Sequence, residues 1–303
     1  MHTRRNAAKA DGLARRRLLV GAGGLAWLGL SGCAALRAEP PPWEARLRGP
    51  AVVLLGETHD NAQLHRLRLA TLRRALATGW RPALAMEQFD TDRQADIDRA
   101  RRDKPHDARY LIAQAAPPLA GWDWELYRPV IELALAHDLT LVAANLSRKQ
   151  AGRLVRADYA AVLGAERAHE LGLDRALPPD LLSAQQHEVD AGHCGALPAP
   201  MLPGMARAQI ARDAVMAERL RHQAGRGIVL LAGNGHVRRD LGVPRWLTGI
   251  APQRVLTVGY LEEDDTPGSA PRPAERFDAV VLAPRVPRAD PCESFRKQAS
   301  GSA

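Results

Sequence analysis

The chain has 303 residues, 46% of them hydrophobic and only 4% aromatic, with a formal net charge of +8. That length is enough to bury a sizeable core, in one large α/β domain or two small ones. The charge does not mark a nucleic-acid binder: residues 1–32 carry six basic residues and one acid, a net of +5, so 8 − 5 leaves +3 for the rest, and scarce aromatics leave no stacking platform.

Residues 1–32 read as an export signal. A basic stretch ends in Arg15-Arg16-Arg17, and the weakly hydrophobic run from Leu18 to Leu30 contains four glycines in thirteen residues. Such a run is too short to span a bilayer and is set apart from the fold. The paired arginines resemble a twin-arginine signal, with an arginine-rich Sec signal as the alternative. Leu30-Ser31-Gly32-Cys33 resembles a lipobox, so Cys33 is the expected lipidation site and its acyl chains the expected membrane anchor. Ala34 in place of Asp favours the outer over the inner membrane, on the periplasmic face. Residues 33–50, with Pro40-Pro41-Pro42, read as a tether.

The folded part is expected over 51–285. Ala51 to Leu55 is an apolar strand ending in Gly56-Glu57-Thr58-His59, with Thr58 a candidate helix cap. Asn61 to Thr78 carries leucines at helical spacing and stops at Gly79. The next strand, Pro82 to Met86, runs into Glu87, which makes a βαβ unit and therefore a parallel sheet. Thr91 to Arg102 is a charged helix. Trp122, Trp124 and Tyr127 concentrate aromatics at the start of a helix to about His137, either as core packing or as a binding wall. Leu139 to Ala144 returns to the sheet and ends at Asn145, with Arg148 beyond it.

A helical insertion is expected over about 147–226. It holds His193-Cys194-Gly195 and a long helix from Met205 to Gln223 with Gln209, Arg212, Asp213 and Met216 on one stripe. The strand Ile228 to Leu231 then ends in Gly233-Asn234-Gly235-His236. The last strands are Arg254 to Gly259 and Phe277 to Ala283, and 286–303 reads as a polar, disordered tail. Beyond Cys33, two cysteines remain, Cys194 and Cys292, either paired or free in an oxidising compartment. No P-loop, Gly-x-Ser-x-Gly elbow or dinucleotide fingerprint occurs.

Two Gly-x-x-His turns on strand ends of one open sheet face the edge where such sheets bind ligands. His59, His236 and Glu87 there are candidate ligands for Mn, Co or Zn, with Glu57 as general base, which is the pattern of a metal-dependent hydrolase of protease or esterase type, Glu57 and Glu87 serving catalysis. The plainer alternative is a buried polar network that holds the sheet edge.

Seven ordered blocks carry a further resemblance: Leu55 to Asn61, Met86-Glu87, Trp122 to Pro129, Ala143 to Leu146, His193 to Gly195, Ala208-Gln209 with Arg212 to Ala217, and Ala232 to Val237 with Gly242 to Pro244. Together they resemble the ChaN family of haem-binding lipoproteins, in the superfamily that also holds the Tiki proteases and erythromycin esterases. The resemblance implies a three-layer α/β/α fold with a mainly parallel sheet and a helical part. It also implies haem bound between two protomers, a tyrosine as iron ligand, and a role in haem or iron uptake with an outer-membrane haem receptor as partner. Tyr127 is the tyrosine in a matching block, with Tyr110, Tyr159 and Tyr260 as alternatives; Arg128 would meet a propionate, and His193 completes the expected haem-binding residues.

Overall fold

The computed structural model describes residues 41–117, 121–263, 273–290 and 292–293, so the export signal and Cys33 lie outside the described residues. Chain folding begins earlier than Ala51. Pro42–Arg48 forms a 3-10 helix whose Leu47 is 2% exposed and joins the core. Glu44 fixes it to the first long helix, accepting from Arg74 Nε at 2.8 Å and from Thr71 Oγ1 at 3.2 Å.

The chain then runs through β1 (Val52–Leu55), α1 (Ala62–Ala77), β2 (Ala83–Asp90), α2 (Gln94–Asp103), α3 (Ala108–Ala115), α4 (Trp124–Ala136) and β3 (Leu141–Asn145). Next come α5 (Arg148–Leu154), α6 (Tyr159–Leu163), α7 (Ala165–Glu170), α8 (Pro179–Gly192) and α9 (Leu202–Arg221). β4 (Ile228–Leu231), the short α10 (Asn234–Val237), β5 (Val255–Glu262), α11 (Pro273–Arg276) and β6 (Ala279–Ala283) complete it. The six strands form one all-parallel sheet in the order β3-β2-β4-β1-β5-β6.

β1 and β4 are Val-Val-Leu-Leu and Ile-Val-Leu-Leu, and every residue of both is buried, as a central strand covered on both faces requires. Alternate side chains serve opposite layers. Val53, Leu55, Leu84 and Met86 pack with Leu72 and Leu76 of α1 and Ile131 of α4; Val52, Leu54, Ala83 and Ala85 pack with Met216 and Leu220 of α9. The architecture is therefore three-layered, α/β/α. A third core, with Leu154, Val162, Leu171 and Ile210, sits among α5 to α9. No helix among the described residues is long and apolar enough to cross a membrane.

Three local expectations change. The cap of α1 is Asn61 rather than Thr58: its side chain accepts from the amides of Gln63 and Leu64, as an N-cap must to satisfy orphan donors. β2 continues past Met86 to Asp90, through a bulge that shifts its register with β3. The tail is also not loose where it is described. The Val286 amide and the Arg288 guanidinium donate to Glu262, and Cys292 is disulfide-bonded to Cys194 with Cα atoms 5.5 Å apart.

Helix α9 enters close against α5, and a Cβ at Gly204 would collide with the backbone carbonyl of Val155. Backbone cannot yield as a side chain can, so Gly204→Ala is expected to lower stability by roughly 1–3 kcal/mol. Urea unfolding checks this; an unchanged midpoint would contradict the close approach.

Candidate functional site

β1 and β4 are hydrogen-bonded neighbours, with Leu55 paired to Leu231, so the two Gly-x-x-His turns leave the sheet side by side. Asn234 joins them. Its side-chain amide donates to the carbonyls of Glu57 (2.9 Å) and Tyr260 (2.7 Å) and accepts from the Tyr260 amide (3.0 Å), tying the ends of β1 and β5 to the second turn. Gly56 is required there, because a Cβ would strike the Asn234 side chain.

Beneath the first turn lies a buried carboxylate. Glu57 Oε1 accepts from the Tyr127 hydroxyl (2.7 Å), from Gln88 Nε2 (3.0 Å) and from the His59 Nδ1 side of the ring (2.6 Å), while Oε2 pairs with the Arg68 guanidinium. Burial alone would raise its pKa, but Arg68 and His59 overrule it and hold Glu57 well below the usual carboxylate range. Arg68 is only 2% exposed; it also donates to the Gly56 carbonyl (3.2 Å) and contacts His65 Nδ1 (3.2 Å). Burial and Arg68 push His65 down to about 4. That ring is neutral at pH 7, with Nε2 donating to the His59 carbonyl at 3.0 Å.

His59 itself is half exposed, its side chain at 49%. Burial of the rest of the ring lowers its pKa, but the hydrogen bond to Glu57 and the charges of Glu57 and Glu87 together raise it above the ordinary value. Nδ1 is committed to Glu57, the Trp122 ring stands edge-on at 4.9 Å, and Nε2 has no hydrogen-bond partner among the described residues. A carboxylate behind one ring nitrogen fixes the ring and turns the other outward.

The second turn carries a second charged set. Glu87 Oε2 accepts from the Gly233 amide (2.7 Å), and its Oε1 lies 3.5 Å from His236 Nε2. His236 Nδ1 meets Asp213 of α9 at 2.6 Å. Burial would lower the His236 pKa, but Glu87 and Asp213 push it up to about 10, and Glu87, despite burial, falls to about 2. His236 is thus an imidazolium between two carboxylates. Gly233 passes so close to both sets that its Cβ would lie 3.2 Å from His59 Nε2 and 3.6 Å from Glu87 Oε2.

Above these groups opens a cleft of 300 Å³, walled by Gln185, Glu188, Val189 and His193 of the α8 end and by Gln209 and Asp213 of α9. Among the described residues the buried Oε1 atoms of Gln185 and Gln209 have no hydrogen-bond partner, which leaves two acceptors to a ligand or water. His193 Nδ1 turns back to the Val189 carbonyl at 2.7 Å.

The structure brings Glu57, His59, Glu87, His193 and His236 to one place and sets others apart. Tyr127, expected at an iron, is fully buried, packed against His65 (4.9 Å) and Trp122 (5.7 Å), with its hydroxyl spent on Glu57. Burial and the Glu57 charge push its pKa far above that of an ordinary phenol, so it acts here as a donor that holds Glu57. Arg128, expected at a propionate, is paired on the surface with Glu125 (2.9 Å) and Glu132 (2.5 Å), outside the cleft lining. Asn145 faces Arg212 Nη1 at 2.7 Å and is likewise no part of the cleft. As for a metal, among the described residues no group of three or more His, Cys, Asp or Glu side chains is disposed to hold one. His236 lies between Glu87 and Asp213, and Glu87 also accepts from the Gly233 amide. Sequence reasoning missed Arg68 and Gln88. The signal for Arg68 was present: it falls on the buried stripe of α1 between Leu64 and Leu72.

A family model described as haem-binding uptake, Tiki superfamily, ChaN matches residues 43–247, which take in every residue of this cleft. A solved structure described as cofacial haem binding to ChaN of Campylobacter jejuni is similar in fold, with a TM-score of 0.61 and 17% identity over 78% of this chain and 89% of that one. An erythromycin esterase mutant in its open conformation aligns at a TM-score of 0.39 and 14% identity, over 74% of this chain and 75% of that one. Among curated proteins none matches.

Because the imidazolium of His236 has a folded pKa above its unfolded value of 6.5, its contribution to stability is complete below about pH 6.5 and disappears as pH rises through about 10. The unfolding free energy is expected to fall across that window, and the slope to flatten in His236→Asn. An identical slope in the two proteins, measured by denaturant titration from pH 6.5 to 10, would contradict the charged assignment.

Proposed function

Because this chain belongs to the ChaN family of haem-binding uptake proteins of the Tiki superfamily, we propose that it binds haem at the carboxyl edge of its sheet and serves haem or iron uptake. The observation that carries this reading is the family match across 43–247, which contains the whole cleft. The chemistry of the cleft supports it. His59 offers an outward Nε2 with its Nδ1 held by a carboxylate, the second-neighbour arrangement that orients a ligating imidazole, and Trp122, Val189 and Leu241 supply apolar surface beside it. Bound there, haem would supply the iron and the apolar macrocycle; the chain supplies the ring nitrogen, the walls and the fixed geometry.

The cleft is at the small end of ligand pockets, which favours a haem covered by two copies of the chain, each contributing one face. The lipobox at Leu30 to Cys33 supports an anchor that keeps the domain on the periplasmic face of a bacterial outer membrane, within reach of an outer-membrane haem receptor. We favour this reading over the metal-dependent hydrolase, because among the described residues no three His, Cys, Asp or Glu side chains are disposed around one point.

Ferric haem titrated into residues 40–303, which form one compact unit, tests the reading. Saturable binding with a mass shift to two chains is expected. His59→Ala should weaken it at least tenfold, whereas Tyr127→Phe should keep the haem spectrum. Absence of saturable binding, or loss of the spectrum in Tyr127→Phe alone, would contradict the assignment.

A further inference from the structure

The edge of the sheet opposite the cleft carries a row of arginines. Each of the four central strands is entered from one of them: Arg81 before β2, Arg226 before β4, Arg48 before β1 and Arg254 before β5, all exposed. In the sheet order β2-β4-β1-β5 these strand starts are neighbours. Backbone bonds join them, from the Ala83 amide to the Gly227 carbonyl (2.9 Å), from the Ile228 amide to the Ala51 carbonyl (3.1 Å) and from the Ala51 amide to the Arg254 carbonyl (2.8 Å). Adjacent strands lie about 4.8 Å apart, so the four starts span roughly 14 Å. Arg46, exposed on the 3-10 helix that ends at Arg48, extends the row.

No carboxylate answers this charge. Arg81 donates to the carbonyls of Leu76 and Trp80, and Arg226 to the Thr140 hydroxyl, all of them neutral; among the described residues none of the four arginines is in an ion pair. The acids at the same edge are already matched: Asp138 before β3 to Arg101 and Asp278 before β6 to Arg239, each at 2.8 Å, and Glu44 to Arg74. Trp80, half-buried, stands within the row, where a Cβ at Gly227 would lie 3.3 Å from its Nε1. Arginines beside a tryptophan suit a headgroup layer, the first meeting phosphates and the second the boundary beneath them.

The expected anchor selects the partner. Cys33 is eight residues before Pro41, so at most about 28 Å of chain separates the acylated position from the first described residue. The 3-10 helix that follows leads to Arg48 at this same edge. We propose that the arginine-lined edge rests on the anionic phospholipid headgroups of the membrane that holds the anchor, an inference that rests on the lipobox reading of Cys33. The cleft is at the other edge, and the 16 residues of α1, about 24 Å of helix, run between the two. Docked in this way, the domain turns its cleft away from the bilayer and into the aqueous compartment. The arginines, rather than the tether, set that orientation.

Residues 40–303, the compact unit that holds all three cores, are mixed with phosphatidylcholine vesicles containing or lacking about one-third phosphatidylglycerol, and bound protein is measured by sedimentation. Binding to the anionic vesicles alone is expected, weakening as salt is raised. Arg48→Gln combined with Arg254→Gln should lower it by about tenfold or more. Lys149→Gln combined with Arg156→Gln, which removes as much exposed charge around α5, should leave it nearly unchanged. Hydrogen exchange on the vesicles reads the orientation: added protection is expected at 46–50, 80–82, 225–228 and 252–255, and none at 57–61 or 233–237. No preference for anionic vesicles, equal loss in the two double variants, protection of the Gly-x-x-His turns, or equal affinity for duplex DNA at the same salt would each overturn the surface. The mass of the full chain recovered from bacterial membranes tests the anchor separately: an unmodified Cys33 would overturn the lipobox reading, and vesicle binding would still decide the headgroup surface.

Discussion

The site depends on a buried ion pair between Glu57 at the end of β1 and Arg68 on α1. Neither charge has solvent to fall back on, and isolated charges are far too costly to bury. Each is therefore surrounded: Glu57 by Tyr127, Gln88 and His59, and Arg68 by the Gly56 carbonyl and His65. The pair fixes α1 against the sheet edge, and the hydrogen bonds fix α4 through Tyr127 and β2 through Gln88. The outward direction of the His59 ring is the surface expression of this interior arrangement.

A second polar set, Glu87–His236–Asp213, stands beside the first and joins β2, the turn after β4, and helix α9. The two sets meet at Gly233, where a Cβ would crowd the His59 ring at 3.2 Å and touch Glu87 at 3.6 Å. Three layers of the fold thus converge on one edge, and the parallel order β2-β4-β1 is what places Glu87, His236 and Glu57 side by side at that edge. A sheet with β4 at its rim would have left the two turns apart.

Much of this was legible from residues. Apolar runs bounded by turns gave all six strands within a few positions, and two Gly-x-x-His turns after such runs predicted a shared edge. The rest depended on three-dimensional neighbours. Tyr127 is the same tyrosine whether it points into a cleft or beneath a carboxylate, and nothing in Trp122 to Pro129 says which; only the packing of α4 on α1 turns it inward to Glu57. Arg128 is one residue on, which on a helix is about a hundred degrees around, so it emerges among Glu125 and Glu132 instead. The tail looked disordered because its sequence is polar, yet polarity is no bar to order where Glu262, Asp60 and a cysteine wait for it.

The central claim is that the His59 imidazole, set by Glu57, is the group that meets the iron of a bound haem. Pulsed electron paramagnetic resonance of the ferric haem complex, with histidine ring nitrogens labelled with nitrogen-15, addresses it most directly. The account predicts a nitrogen coupling from one labelled histidine that vanishes in His59→Ala. A complex without histidine coupling, carrying a phenolate-to-iron charge-transfer band that survives His59→Ala, would contradict it.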